Sequence, residues 1–178
     1  MTRVLDFGFA LLVLIGLCWL LVILWLFVRL SSPGPGLFVQ TRVGRHKVNF
    51  QCYKFRSMVI HAPEAGTHQI DKSHITCIGR ILRASKLDEL PQAYNILKGE
   101  KSLVGPRPCL PSQLDVIAAR EKLGVFDLRP GILGLAQVEG IDMSQPQKLA
   151  QRDAEYARQK SLITDLRLCA AFVFRQRA

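Results

Sequence analysis

The chain has 178 residues, of which 49% are hydrophobic, and it carries a formal net charge of +10. This length suits one domain with a hydrophobic core and excludes two domains of ordinary size. The five cysteines are scattered and show no C-x-x-C spacing, so they indicate a reducing compartment and argue against a zinc site.

The N-terminal part of the chain is an apolar run, since residues 7–28 contain no charged side chain over 22 positions. As a helix this run rises about 33 Å at ~1.5 Å per residue, which matches the ~30 Å hydrocarbon core of a bilayer. A cleaved secretory signal is the alternative, but such signals have a shorter apolar region followed by a small-residue cleavage site. We therefore predict a retained membrane helix over residues 1–30 and a separate domain over residues 31–178.

Charge is unevenly distributed along the chain. Arg3 and Asp6 cancel within residues 1–28, so the whole formal charge of +10 lies in residues 29–178. Basic residues beside a membrane segment mark the cytoplasmic side and attract anionic lipid headgroups. A basic chain can also bind nucleic acid, but this sequence has no nucleic-acid-binding signature. We therefore do not predict nucleic acid as a partner. We expect a domain on the cytoplasmic face of a membrane.

The segments that follow are short. The turn cluster SSPGPG at residues 31–36 ends the apolar run, and residues 37–58 alternate apolar and polar side chains around Gly44, which predicts two strands. A polar loop is expected over residues 61–74, where His61, His68 and His74 match no metal-ligand spacing and favour solvated side chains. Residues 78–85 have apolar positions at helical spacing and predict a short amphipathic helix.

In the rest of the chain, proline and glycine residues mark the boundaries of the predicted elements. Pro91 is predicted as a first helical residue and Gly99 as the stop of that helix. Further predictions are a helix over residues 113–123, a turn at residues 129–131 and helix from about Gln147 onward. The apolar stretch at 168–174 has basic residues on both sides, and it suits either a membrane-interface helix or a core helix.

Asp88 and Glu89 form an acidic pair next to the predicted start at Pro91. Carboxylates at a helix start commonly serve the helix alone, through its dipole and free N–H groups. This pair, however, has Arg80 and Arg83 upstream and Arg107 downstream, and such cations beside a helix N-terminus are typical of phosphate binding. Cationic surroundings should depress the pKa of a carboxylate, so one member can act as a nucleophile while the other holds Mg²⁺.

Five blocks of the sequence carry a family resemblance. They are RVLDF, SSPGPGLFVQTRVG, YKFRSM, LDELPQAYNILKGEKSLVGPRP and LRPGILGLAQVEG, in unbroken order from Arg3 to about Leu168. Together they resemble the bacterial sugar transferase family, specifically its small monotopic phosphoglycosyl transferases. The fold implied is α+β, with a membrane helix that is re-entrant and a small, mainly helical cytoplasmic catalytic domain containing short strands and membrane-interface helices.

The resemblance also implies an activity. Members move a sugar-1-phosphate from a UDP-sugar to a polyprenol phosphate such as undecaprenyl phosphate, releasing UMP at the cytoplasmic face of the bacterial inner membrane. This is the first membrane step of glycoconjugate or surface polysaccharide assembly, so downstream glycosyltransferases are possible partners besides the substrates and membrane lipids. The matching positions make Asp88 the nucleophile, through an aspartyl phosphosugar intermediate, and Glu89 the Mg²⁺ ligand.

Further residues are assigned around this pair. Arg83 and Arg107 are expected on phosphate oxygens, because breaking a diphosphate depends mainly on charge neutralisation and placement. Lys54 and Arg56 suit either a phosphate or a solvent-facing and headgroup-facing role. By resemblance, Arg129 is assigned to phosphate and Pro130, Gly131 and Gln137 to the nucleotide pocket; a simple tight turn at residues 129–131 is the alternative.

Two positions depart from the family pattern. Cys18-Trp19 replaces the usual Ser-Pro that breaks the membrane helix, which makes a continuous spanning helix more credible and leaves Gly16 as the weak point. Positive charge at both ends of the run still favours the re-entrant form. Ile141 replaces a usual Arg, so one nucleotide or phosphate contact is expected to be missing.

Two other functions compete with this hypothesis. One is a catalytically silent, membrane-anchored basic scaffold that binds anionic or polyprenyl lipids, against which the presence of both Asp88 and Glu89 argues. The other keeps the enzyme but makes Asp88 a base in a direct transfer within a ternary complex. Release of UMP without lipid acceptor distinguishes the two catalytic routes.

Overall fold

The computed structural model describes residues 2–60, 62 and 72–175. The α-helices of this part are α1 (Thr2–Leu11), α2 (Cys18–Ser31), α3 (Cys77–Ser85), α4 (Ala93–Leu97), α5 (Leu114–Lys122), α6 (Leu135–Val138), α7 (Pro146–Gln159) and α8 (Leu162–Arg175). Its strands are β1 (Leu37–Val43), β2 (Asn49–Phe55), β3 (Ser102–Val104) and β4 (Gly131–Leu133). A π-helical turn covers Leu12–Gly16, and 3₁₀ helices cover Arg45–Lys47, Lys72–His74, Leu87–Gln92 and Val125–Asp127. This mixture of helices and short strands confirms an α+β fold.

The apolar run forms two helices instead of one. Residues 3–16 and Cys18–Ser31 meet at an angle of 65°, and the break falls at the π-helical turn that ends in Gly16, the predicted weak point. In the described part of the chain no single helix is long and apolar enough to cross a membrane, and the bent pair meets that requirement only jointly, by length and composition.

α1 is attached to the domain through a buried carboxylate. Asp6 accepts hydrogen bonds from Ser102 Oγ at 2.9 Å and from the Leu103 N–H at 2.7 Å, and Arg3 Nη1 lies 3.3 Å from the same carboxylate. Ala10 on α1 and Ile96 on α4 are both fully buried in one apolar cluster. α1 therefore packs against β3 and α4.

The two strands predicted around Gly44 are confirmed. β1 and β2 pair antiparallel, with Leu37 opposite Phe55 at one end and Val43 opposite Asn49 at the other. Arg56, directly after β2, is buried and donates to the carbonyls of Val28 and Ser32 at the end of α2. Arg56 thus ties the hairpin to the helix pair, a structural role that neither sequence hypothesis for this residue anticipated.

The segment around the acidic pair differs from the prediction. The amphipathic helix is confirmed as α3, but Pro91 is not a first helical residue, because it lies inside the 3₁₀ helix Leu87–Gln92 that runs directly into α4. Asp88 and Glu89 are therefore within a helical segment and not ahead of one. Gly99, with φ of 80°, ends the helix as predicted.

The predicted turn at residues 129–131 is wrong, because Gly131 begins β4. β4 pairs in parallel with β3, with Gly131 opposite Ser102, and the Ser102 N–H donates to the Pro130 carbonyl at 2.9 Å. A Cβ on Gly131 would lie 2.1 Å from the Gly105 nitrogen, so the close approach of the two backbones requires glycine.

The C-terminal half supplies most of the core. The predicted helices appear as α5, α7 and α8. Ile141 is buried with Val43 and Leu149 in an apolar cluster, which explains an apolar side chain at this position. On α8, Leu168 packs in the core, as the core-helix alternative expects, while Ile163 and Leu166 are exposed. Of the predicted loop at residues 61–74, His61 and residues 63–71, with His68, lie outside the described residues.

Candidate active site

A cavity of about 420 Å³ opens between the β1–β2 hairpin, α3 and the 3₁₀ helix that carries the acidic pair. The charged residues that line it are Arg42, Lys54, Arg56, Arg83, Lys86, Asp88, Glu89 and Arg107. The apolar residues that line it include Leu37, Phe38, Phe55, Met58, Val59 and Ile60. Six cations face two carboxylates, so the cavity suits an anion with several negative charges and an apolar part.

Glu89 is the better neutralised of the two carboxylates. Its Oε1 lies 2.9 Å from Lys54 Nζ and 3.3 Å from Arg107 Nη1. Burial by itself would raise the pKa of Glu89, but Lys54, Arg107 and Lys101 outweigh burial and hold that pKa far below its usual range. Glu89 is therefore ionised at neutral pH, as the cationic surroundings led us to expect.

Asp88 shows the opposite behaviour, which corrects the expectation that its pKa is depressed. Burial and the neighbouring Glu89 charge raise the pKa of Asp88, against the attraction of Lys54, Lys86 and Arg83. Asp88 is 8% exposed, and its Oδ1 has no hydrogen-bond partner in the described structure. When a buried carboxylate oxygen accepts no hydrogen bond, the protein does not stabilise its negative charge, and the oxygen stays basic.

The two cations on Glu89 are placed by contacts from other elements. Asn95 on α4 accepts a hydrogen bond from the Tyr53 N–H at 3.2 Å and so fixes β2, which carries Lys54. Arg107 follows β3 in the GPRP segment, and its carbonyl accepts from Arg120 Nη1 at 2.8 Å. Arg120 is itself held by a buried ion pair with Asp153 on α7, at 2.7 Å.

A buried lysine lies behind the acidic pair. Lys101 is 2% exposed, and its Nζ donates to Oε1 of Gln92, the last residue of the 3₁₀ helix. Burial lowers the pKa of Lys101 to about 8, although the Glu89 charge acts in the other direction. This residue was missed in the sequence, because nothing in the local pattern shows that its ammonium is buried.

The structure brings together only some of the residues predicted for the site. Asp88, Glu89, Lys54, Arg83 and Arg107 all line the cavity, and Arg83 Nε donates to Ser57 Oγ at 2.8 Å. Four other predicted residues are not among the lining residues of this cavity: Arg129, Pro130, Gly131 and Gln137.

Those four residues lie elsewhere in the fold. Arg129 Nε donates to the Gly99 carbonyl at 2.9 Å, at the end of α4. Pro130 and Gly131 enter β4, and Gln137 is on α6. The assignments of Arg129 to phosphate and of Pro130, Gly131 and Gln137 to the nucleotide pocket stay predictions.

Two cations of the cavity were missed in the sequence. Arg42 on β1 donates to the Pro108 carbonyl at 3.2 Å and to Gln40 Oε1 at 2.6 Å. Strand alternation offered a signal for it, because Phe38, Gln40 and Arg42 are two residues apart and share a face. Lys86 gave no such signal, since its place in the cavity depends on how α3 ends.

A metal would need ligands from outside the protein. Among the described residues no group of three or more His, Cys, Asp or Glu side chains could hold an ion. Mg²⁺, however, is commonly bound by one or two carboxylates together with substrate phosphates and water. Both ion pairs of Glu89 use Oε1, so neither of them occupies Oε2. Oε2 of Glu89, with the Asp88 carboxylate beside it, therefore fits a cation of this kind.

The order of these elements can now be compared with known proteins. A family model described as bacterial sugar transferase matches residues 1–175. The chain belongs to the bacterial sugar transferase family. The matched residues include the helix pair, the hairpin and the acidic pair, so the family model covers all of the described structure.

Curated relatives of this sugar transferase have related names. The protein named UDP-glucose:undecaprenyl-phosphate glucose-1-phosphate transferase of Caulobacter vibrioides is 40% identical over 175 residues, which cover 93% of this chain and 66% of the relative. An uncharacterized sugar transferase of Bacillus subtilis is 37% identical over 141 residues, covering 79% of this chain and 69% of the relative. The undecaprenyl-phosphate galactose phosphotransferase of Salmonella typhimurium is 33% identical over 181 residues, covering 92% of this chain and 38% of the relative. This chain therefore spans between about two fifths and about two thirds of the length of these three relatives.

Proposed function

We propose that this sugar transferase moves a sugar-1-phosphate from a UDP-sugar to a polyprenol phosphate, such as undecaprenyl phosphate, and releases UMP. The observation that carries the proposal is the acidic pair in a cavity lined by six cations and by apolar side chains. A nucleotide diphosphate sugar and a lipid phosphate both need that combination of charge and apolar surface. The names of the relatives support the same substrates.

The covalent route uses Asp88 as the nucleophile. Its carboxylate oxygen attacks the phosphorus that carries the sugar, the bond to the bridging diphosphate oxygen breaks, and UMP leaves with that oxygen. The lipid phosphate then attacks the same phosphorus, which releases Asp88 and forms the polyprenol-diphosphate-sugar. The absence of a hydrogen-bond donor on Asp88 Oδ1 supports this role, because the oxygen keeps its basicity.

The remaining charged residues bind and orient the substrate. Arg83 and Arg107 reach the cavity and are suited to phosphate oxygens. Glu89, with Asp88 beside it, would hold Mg²⁺ together with the diphosphate. When bound, Mg²⁺ neutralises negative charge that builds up on the diphosphate. Lys54 keeps Glu89 ionised and in place through its ion pair.

We further propose that the enzyme acts at the cytoplasmic face of the bacterial inner membrane, with the bent pair α1–α2 inserted as a re-entrant hairpin. The bend of 65° and the exposed apolar side chains of α2, such as Trp19, Val22 and Phe27, support this placement. Asp6 and Arg3 attach α1 to residues 101–103, and Arg56 attaches the end of α2 to the hairpin, so both ends of the pair remain beside the domain. Membrane lipids and downstream glycosyltransferases would be its partners there.

The test is intact mass measurement on the purified protein in lipid nanodiscs with Mg²⁺ and a panel of UDP-sugars, without polyprenol phosphate. We expect a phosphosugar adduct on the wild type, none on Asp88→Asn, and loss of the adduct when undecaprenyl phosphate is added. Turnover with lipid but no adduct would indicate direct transfer with Asp88 as a base. No turnover with any donor would favour the lipid-binding scaffold.

A further inference from the structure

Lys86 differs from the other cations of the cavity, because its side chain has no hydrogen-bond or ion-pair partner among the described residues. Of the six cationic side chains that line the cavity, five donate to protein oxygens: Arg42, Lys54, Arg56, Arg83 and Arg107. For the ammonium of Lys86, the structure gives no hydrogen-bond or ion-pair acceptor among the described residues. Lys86 is exposed, so its charge is available to a ligand in the cavity.

The backbone of Lys86 is also unusual. It ends α3 in the left-handed conformation, with φ of 58° and ψ of 14°. Glycine, or less often asparagine, normally occupies this position of a helix C-terminus, because a Cβ is unfavourable there. A lysine therefore lowers the stability of the fold at this point, and no hydrogen bond or ion pair of its side chain offsets that cost in the described structure.

The position of Lys86 relative to Asp88 shows what it can bind. It lies two residues before Asp88, and its charge acts on that carboxylate. A lysine ammonium is a compact charge that binds phosphate oxygens. An anion that approaches Asp88 in the cavity therefore comes within reach of Lys86.

We propose that the Lys86 ammonium binds a phosphate group of a substrate next to Asp88. The inference rests on the proposed function, and it adds a binding residue that neither the sequence blocks nor the ion pairs of the site identify. The phosphate belongs either to the UDP-sugar or to the polyprenol phosphate, since both present the same chemistry to a lysine.

The test uses three variants of the full chain in detergent with Mg²⁺. Lys86→Gly removes the charge and relieves the left-handed backbone, and Lys86→Arg keeps the charge. Lys47→Gly is the matched control: Lys47 also has a positive φ, of 61°, and is exposed, but its partner is Glu121 on α5 and it does not line the cavity. Both glycine variants change the net charge equally.

Binding of UDP and of undecaprenyl phosphate is measured separately, by calorimetry and by native mass spectrometry, together with the melting temperature. We expect Lys86→Gly to melt at or above the wild-type temperature and to lose roughly tenfold or more in affinity for one of the two probes, as for a charged hydrogen bond. The probe that is affected identifies the source of the phosphate. Lys86→Arg should retain most of the affinity, and Lys47→Gly all of it.

Three outcomes would overturn the proposal. Unchanged affinity of Lys86→Gly for both probes would show that no phosphate is bound there. An equal loss in Lys47→Gly would show a general effect of net charge, and a lower melting temperature together with the lost affinity would show a structural role. Because binding is read without turnover, a wild type that forms no adduct and shows no turnover with any donor would reject the proposed reaction while the Lys86 result still stands.

Discussion

In two regions of the molecule a carboxylate is paired with cationic side chains in different surroundings: Glu89 in the cavity, and Asp153 in the C-terminal half. Asp153 and Arg120 are each 2% exposed, and Asp153 Oδ2 accepts from both Nε and Nη2 of that one arginine. Glu89 instead faces Lys54 and Arg107 at the wall of an open cavity. Burial raises the pKa of Asp153 even though Arg120 opposes it, whereas the cations around Glu89 lower its pKa.

The difference shows which charges are neutralised within the protein. Asp153 and Arg120 neutralise each other, and Arg120 also holds the Arg107 carbonyl by a hydrogen bond, so this ion pair has a structural role. The cavity is lined by six cations and two carboxylates, and under the proposed function this excess of positive charge binds an anionic substrate. On that proposal, the same ion-pair chemistry supports structure in one place and substrate binding in the other.

Breaking the buried pair should give the largest effect. Asp153→Asn leaves the Arg120 charge buried without a counter-charge, and we expect a loss of about 3–5 kcal/mol in the free energy of unfolding. The measurement is urea unfolding in detergent. A double variant, Asp153→Leu with Arg120→Met, should recover most of that loss. Equal stability of Asp153→Asn and the wild type would contradict the contrast, as would an equal loss in Glu89→Gln.

Arg107→Met should separate catalysis from stability on the cavity side. Since Arg107 is suited to a phosphate oxygen and supports Glu89, we expect kcat/KM to fall about 10²–10³-fold, as when a donor to developing charge is removed. Stability should change by about 1 kcal/mol or less, because the side chain is partly exposed. Steady-state kinetics and urea unfolding on the same preparation check both, and a loss of stability with unchanged kinetics would reverse the assignment.

Lys101→Met should raise the free energy of unfolding, because it removes a buried positive charge that lowers the stability of the wild type. The pKa of Lys101 is about 8 in the folded protein and about 10.4 in an unfolded chain, so the buried charge costs stability below pH 8. This cost decreases as pH rises from about 8 to about 10.4, where both states lose the proton. The variant should be more stable by roughly 3 kcal/mol at pH 7, with the difference shrinking at pH 10.

The control for the lysine variant is the pH dependence itself. Urea unfolding of the wild type and Lys101→Met at pH 7 and pH 10 is compared, so that other titrating groups cancel in the difference. A difference that stays constant with pH would show that packing, and not charge, distinguishes the two side chains.

Ser102→Ala should have the smallest effect and tests a third kind of buried carboxylate. Asp6 is stabilised mainly by neutral donors, and losing Ser102 Oγ leaves the Leu103 N–H and Arg3 in place. We expect a loss of about 1 kcal/mol in the free energy of unfolding. A loss as large as that of Asp153→Asn would show that α1 depends on this single contact.

The sequence by itself determined the elements whose pattern is local. Alternation around Gly44 predicts the hairpin, apolar spacing predicts α3, and Gly99 predicts the end of α4. The acidic pair and its cations at Arg83 and Arg107 also follow from short blocks of sequence. These predictions succeed because strand period, helix period and chain termination depend on neighbouring residues.

Tertiary structure decided the burial and the long-range contacts. Only the fold shows that burial raises the pKa of Asp88 while three cations lower that of Glu89, and that Gly131 begins a parallel strand opposite Ser102. Only the fold places Lys86 in the cavity and Arg129 at the end of α4. The physical reason is that desolvation and ion pairing depend on groups far apart in the chain, which no local pattern specifies.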